Sequence, residues 1–138
     1  MERANRGFTL IEVMIVVVVV AILASIAVPS YTQHIRRAAV EDALADLSTG
    51  RVAMEQYFLD NRTYTGTVPC PVPRSGSKFT YNCDTPARTD TTYTITATGS
   101  GTVQGFTYTI NQANVRTTQS PWNTGTATCW IDRSGGVC

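Results

Sequence analysis

Apolar residues crowd into one unbroken run near the start of the chain and then thin out into periodic patterns. From Phe8 to Val28 there are 21 residues, and the only ionisable one is Glu12. At about 1.5 Å rise per residue this run makes roughly 31 Å of helix, the hydrocarbon thickness of a bilayer. Pro29 lacks an amide hydrogen, so it predicts a kink; helical patterning resumes beyond it. Between Tyr31 and Asp60, Val40, Leu44, Leu47, Met54 and Phe58 recur at helical spacing, with Arg51 in the stripe and Tyr57 beside it. The stripe predicts a second helical half that packs one face on a folded domain. Ser48-Thr49-Gly50 is its weak point, since glycine costs about 1 kcal/mol relative to alanine in a helix. The helix is expected to end near Asn61.

After Asn61 the pattern changes. Pro69, Pro71, Pro73 and Pro86 alternate with Gly66, Gly76 and several serines and threonines, which reads as loop with a short strand at Phe79-Thr80-Tyr81. In Thr91–Thr98 the period is two, with Tyr93, Ile95 and Ala97 on one face and threonines on the other. Gly99-Ser100-Gly101 supplies a turn, and Phe106-Thr107-Tyr108-Thr109-Ile110 repeats the alternation, which predicts a hairpin. Ala127-Thr128-Cys129-Trp130-Ile131-Asp132 reads as a further strand. The apolar face of this antiparallel sheet would cover the Tyr31–Asp60 stripe, and the fold class is α+β. Phe8 to Asp60 as one helix would be roughly 80 Å long. Its first half has no core of its own to pack on, so it must lie in lipid or among copies of itself.

Composition narrows the functional classes. A chain of 138 residues with net charge +1 holds one small domain and has no strong general attraction for polyanions. From Asn61 onward, however, six Lys or Arg face three acids, so that half is mildly basic. Four cysteines, Cys70, Cys83, Cys129 and Cys138, lie in the same half. Neither paired C-x-x-C spacing nor supporting histidines accompany them, so disulfides in an oxidising compartment are expected rather than a metal site. Of the three possible pairings, the local one is preferred: Cys70 with Cys83 and Cys129 with Cys138. In the chain-entropy account each short loop is worth ~2–3 kcal/mol. The single histidine, His34, has no nucleophile or acid in a catalytic pattern around it. No phosphate-binding glycine loop or metal-binding spacing is present either, so the sequence carries no enzyme signature and implies no cofactor.

The first seven residues are polar and mildly basic, and three fates compete for the apolar run behind them. Ser25-Ile26-Ala27 would serve as a signal-peptide cleavage site, freeing a soluble protein that begins at Val28. A plain transmembrane anchor is the second fate. The third is a cut after Gly7 that keeps the whole apolar helix. Glu12 bears on the choice, because a carboxylate in hydrocarbon costs ~2.5–3.5 kcal/mol and needs a partner. A cut after Gly7 creates that partner: the new α-amino group of Phe8 lies one turn from Glu12, on its own chain or on a neighbour. Arg3 and Arg6 before the run are balanced by Arg36 and Arg37 after it, so charge does not set the topology.

Gly7-Phe8-Thr9-Leu10-Ile11-Glu12-Val13-Met14-Ile15-Val16-Val17 resembles the N-terminal motif of type IV pilins and pseudopilins, and Pro29 stands where such pilins carry a proline. The resemblance implies cleavage by a prepilin peptidase between Gly7 and Phe8, N-methylation of Phe8, and use of Glu12 and Pro29 in subunit assembly. It implies a long N-terminal helix packed on a small antiparallel sheet with a disulfide-closed C-terminal loop. The chain would divide into a leader (1–7), a filament-core half (8–28), an amphipathic half (29–60) and a globular region (61–138). Its partners would be other pilin subunits, inner-membrane assembly machinery and membrane lipid. It would reside in the inner membrane, then in an extracellular filament of a Gram-negative bacterium. A minor pilin serving pilus assembly, adhesion, motility or DNA uptake is the leading expectation, with a DNA-receptor pilin and a type II secretion pseudopilin as alternatives. For DNA, candidate phosphate contacts are Arg74, Lys78, Arg88, Arg116 and Arg133, with Trp122 or Trp130 for stacking. Ordinary surface charge is the competing explanation, since no basic run occurs.

Overall fold

The computed structural model describes residues 7–66, 70–72, 78–84 and 86–138. Pro69, Pro73, Arg74 and the leader residues before Gly7 lie outside the described residues. The chain divides into two compact units, Met1–His34 and Ile35–Cys138. One helix, α1 (Leu10–Asn61), supplies most of the first unit and the start of the second, and contains Pro29.

In the first unit, Thr9 opens the helix: the backbone N–H of Glu12 donates to Thr9 Oγ1 at 3.3 Å. Threonine followed three residues later by glutamate is the pattern of a helix-capping box. From Phe8 to Val28 every side chain is exposed, and the run is long and apolar enough to cross a membrane.

The second unit is the rest of α1 on a five-stranded antiparallel meander. Its strands are β1 (Phe79–Asn82), β2 (Thr94–Gly99), β3 (Thr107–Asn111), β4 (Arg116–Gln119) and β5 (Thr126–Ala127), in that spatial order. Register follows the alternation. Ile95 faces Ile110 and Ala97 faces Tyr108, placing all four on the buried side. Thr96, Thr109 and Thr117 line up across three strands on the other side. A single 3₁₀ turn at Gly101–Val103 joins β2 to β3.

Three expectations are corrected here. The helix stripe is wider than its apolar residues: Ala43, Asp46 and Gly50 are buried with Val40, Leu47 and Met54, while Leu44 and Phe58 are only partly covered. Gly50 is a fit, not a weakness. A methyl there would come within 2.6 Å of Val72 Cγ2 and 3.3 Å of Ile95 Cδ1, so the lost helix propensity is exchanged for close approach. The strand expected at 127–132 shrinks to Thr126–Ala127, and β4 is a strand that the pattern did not reveal. Disulfides join Cys70 to Cys83 and Cys129 to Cys138.

Candidate nucleic-acid interface

The segment after β5 is laid over the buried face of the sheet instead of extending it. Its backbone is satisfied by side chains. Thr118 Oγ1 donates to Cys129 O at 2.7 Å and accepts from Ile131 N at 3.0 Å. Tyr108 donates its hydroxyl to Ile131 O at 2.8 Å. Burial raises the Tyr108 hydroxyl pKa. These bonds set the place of Trp130, whose Nε1–H donates to Thr109 O at 2.9 Å. Arg116, the first residue of β4, lays its guanidinium over the Trp130 ring, 4.5 Å from the centroid. Such stacking is worth ~0.5–1 kcal/mol at an exposed site and holds the fork still.

The structure therefore brings Arg116 and Trp130 together, and Arg133, also exposed, follows three residues later in the same disulfide-closed loop. It does not assemble the other candidates with them. Lys78 adjoins the Phe79–Gly99 pair, at the end of the sheet opposite the Arg116–Ile110 pair. Arg88 is withdrawn from any interface: its Nε sits 2.7 Å from Asp84 Oδ1 and its side chain is only 9% exposed. Trp122 is half-buried, edge-on to Phe106 at 4.6 Å. Arg74 lies outside the described residues. Asp90, near Arg88 in sequence, instead accepts hydrogen bonds from the Thr63 and Thr65 hydroxyls, both at 2.9 Å. Those bonds, Thr65's first, hold its carboxyl below the usual range.

Two carboxylates of α1 anchor the sheet that carries this surface. Glu55 accepts from Tyr64 at 3.0 Å and from Tyr93 at 2.9 Å, and Asp46 accepts from Tyr81 at 2.8 Å. Burial, then the bond to Glu55, pushes the Tyr64 hydroxyl up to about 12. The same causes raise Tyr93 further, and burial with Asp46 raises Tyr81. Sequence reasoning overlooked both acids because an apolar stripe is counted in apolar residues. Their spacing gave no periodic signal either, since nine residues at about 100° each put Asp46 and Glu55 on opposite sides of an ideal helix.

A membrane-length N-terminal helix running into a meander sheet with a disulfide-closed C-terminal loop is the architecture of a type IV pilin. Residues 3–28 match the prokaryotic N-terminal methylation motif. Residues 29–107, more than half of the chain, match the family described as type IV minor pilin ComP, DNA uptake sequence receptor, and the chain belongs to that family. It is 42% identical over 62 residues to the type IV major fimbrial protein FimA of Dichelobacter nodosus, covering 45% of this chain and 40% of that one. It is 39% identical over 67 residues to the type II secretion system core protein G of Dickeya chrysanthemi, covering 49% and 44%. The chain thus spans less than half the length of these curated relatives. Among solved structures, the non-core minor pilin PilV of Neisseria meningitidis shares the fold, with a TM-score of 0.57 at 15% identity over 72% of this chain and 98% of that one.

Proposed function

We propose that this chain is a minor subunit of a type IV pilus that binds duplex DNA through the end of its sheet bearing Arg116 and Trp130. One observation carries the DNA assignment. The Arg116 guanidinium is exposed, stacked on Trp130, and has no carboxylate partner among the described residues. Membership in a family described as a DNA uptake sequence receptor supports the same assignment, although the match ends at residue 107, before both side chains. Arg116 and Arg133 would supply the positive charge of the site, with Arg74 and Lys78 as further candidates from sequence. Binding to a duplex by the full chain in detergent micelles should weaken as salt rises, because each cation that meets the duplex backbone releases counterions. Affinity that stays constant between about 50 and 200 mM salt, or is absent at the lower value, would end the assignment.

Delivery follows from the first unit. Prepilin peptidase cleaves between Gly7 and Phe8 and methylates the Phe8 amine. The helix waits in inner-membrane lipid, and the assembly machinery of that membrane moves it into a surface filament. Glu12 then pairs with the Phe8 amine of a neighbouring subunit, with Pro29 adapting the helix to its neighbours. A buried ion pair of this kind is better at setting register than at adding stability. Glu12→Leu should therefore still insert in the membrane, while its recovery in sheared filaments falls about tenfold, equivalent to ~1.4 kcal/mol. Wild-type recovery of the variant would remove Glu12 from assembly. A pseudopilin role, raised by the type II secretion relative, would instead leave the unaltered protein out of sheared filaments.

A further inference from the structure

The turn between β3 and β4 is built as a rigid platform, and what it displays has the chemistry of base recognition. Asn111 closes it twice: its backbone N–H donates to Val115 O at 3.2 Å, and its Oδ1 accepts from Val115 N at 2.9 Å. Asn114 N donates to Asn111 O at 3.0 Å, and Asn114 sits at φ 58°, a left-handed conformation that asparagine tolerates well. Asn114 Oδ1 accepts from Arg116 Nε at 3.4 Å, on the edge of the guanidinium that faces back along the turn. The Trp130 ring covers one guanidinium face, and Trp130 is itself fixed by its bond to Thr109 O. The two terminal amino groups of Arg116 have no hydrogen-bond partner among the described residues.

We infer that residues 111–116 form the base-reading element of the DNA site, with Arg116 contacting a guanine edge and Asn114 and Trp130 as its positioning residues. This rests on the DNA-binding function proposed above. A phosphate contact needs only a positive charge, which a mobile lysine supplies as well. Here the fork is held by a stack on its face and a bond at its Nε, so less freedom is lost when the free edge pairs with a base. A two-stranded β-ribbon fits the major groove, and the two parallel N–H groups of arginine match guanine O6 and N7. Arg133 and Lys78 have no comparable support: neither is stacked on an aromatic ring among the described residues.

The test is selection from a pool of random-sequence duplexes by the full chain in detergent micelles, with the retained duplexes sequenced. Wild type should enrich a site containing a guanine whose replacement lowers retention about tenfold. Arg116→Lys keeps the charge but loses the two-pronged fork, so the duplexes it retains should no longer show that guanine preference. Asn114→Gly keeps the left-handed turn and should weaken the preference at the same position. If Arg116→Lys enriches the wild-type site with its guanine preference intact, or if wild type binds with no base preference, the inference is overturned and DNA binding stands. If wild type retains no duplex at low salt, DNA binding itself falls and the inference falls with it.

Discussion

Thr118→Val should destabilise the protein by about 2–4 kcal/mol and release Trp130 from beneath Arg116. Thr118 is fully buried in β4, and its hydroxyl serves two backbone groups at once, Cys129 O and Ile131 N. Valine has nearly the same shape, so no cavity forms and the loss is confined to the two hydrogen bonds. Each orphaned buried group costs ~1–3 kcal/mol. The Cys129–Cys138 disulfide would still close the loop, but the loop would no longer be held against the sheet. Thr118→Ser keeps the hydroxyl and gives up one methyl, about 0.8 kcal/mol, so it should sit much closer to wild type. Urea unfolding of the full chain in detergent measures the stabilities, and the near-ultraviolet circular dichroism of tryptophan reports the freed ring. If valine proves no more harmful than serine, the hydroxyl is not what holds the segment.

Glu55→Leu is the second large effect, expected at about 3 kcal/mol. Its carboxylate is the shared acceptor for Tyr64 and Tyr93, whose rings lie 4.7 Å apart and are buried in the core. Leucine leaves two buried hydroxyls without an acceptor. Removing the hydroxyls as well changes the outcome, because deleting both sides of a buried hydrogen bond is nearly neutral. The triple variant Glu55→Leu, Tyr64→Phe, Tyr93→Phe should therefore regain at least half of the lost stability. A triple variant as weak as Glu55→Leu alone would mean that the carboxylate acts through something other than these tyrosines.

Legibility in the sequence followed the strength of local patterning. β2 and β3 were readable because Tyr93, Ile95 and Ala97, then Tyr108 and Ile110, alternate with threonines that face away from the core. β4 was not, because its inward residue is Thr118, a polar side chain whose burial depends on partners ten or more residues away. The same pairing explains why 127–132 was misread. Cys129, Trp130 and Ile131 look like a strand, but their backbone groups are met by Thr118 and Tyr108 instead of by a neighbouring ladder. Of the DNA candidates, nothing local marked Arg88 as held by Asp84, since the two lie outside any helix, or Arg116 as the stacked one.

The sequence by itself determined the membrane-length helix, the lone carboxylate Glu12 in its first turn, the amphipathic half and the central hairpin. Each of these is a property of neighbouring residues: hydrophobic length, a single charge in hydrocarbon, or a period of 3.6 or 2. Only the tertiary structure decided that Gly50 and Asp46 belong to the core, that Arg88 is spent on Asp84, and that Arg116 rests on Trp130. Those outcomes depend on sheet register and on which buried polar groups find partners, and both arise between segments far apart in the chain.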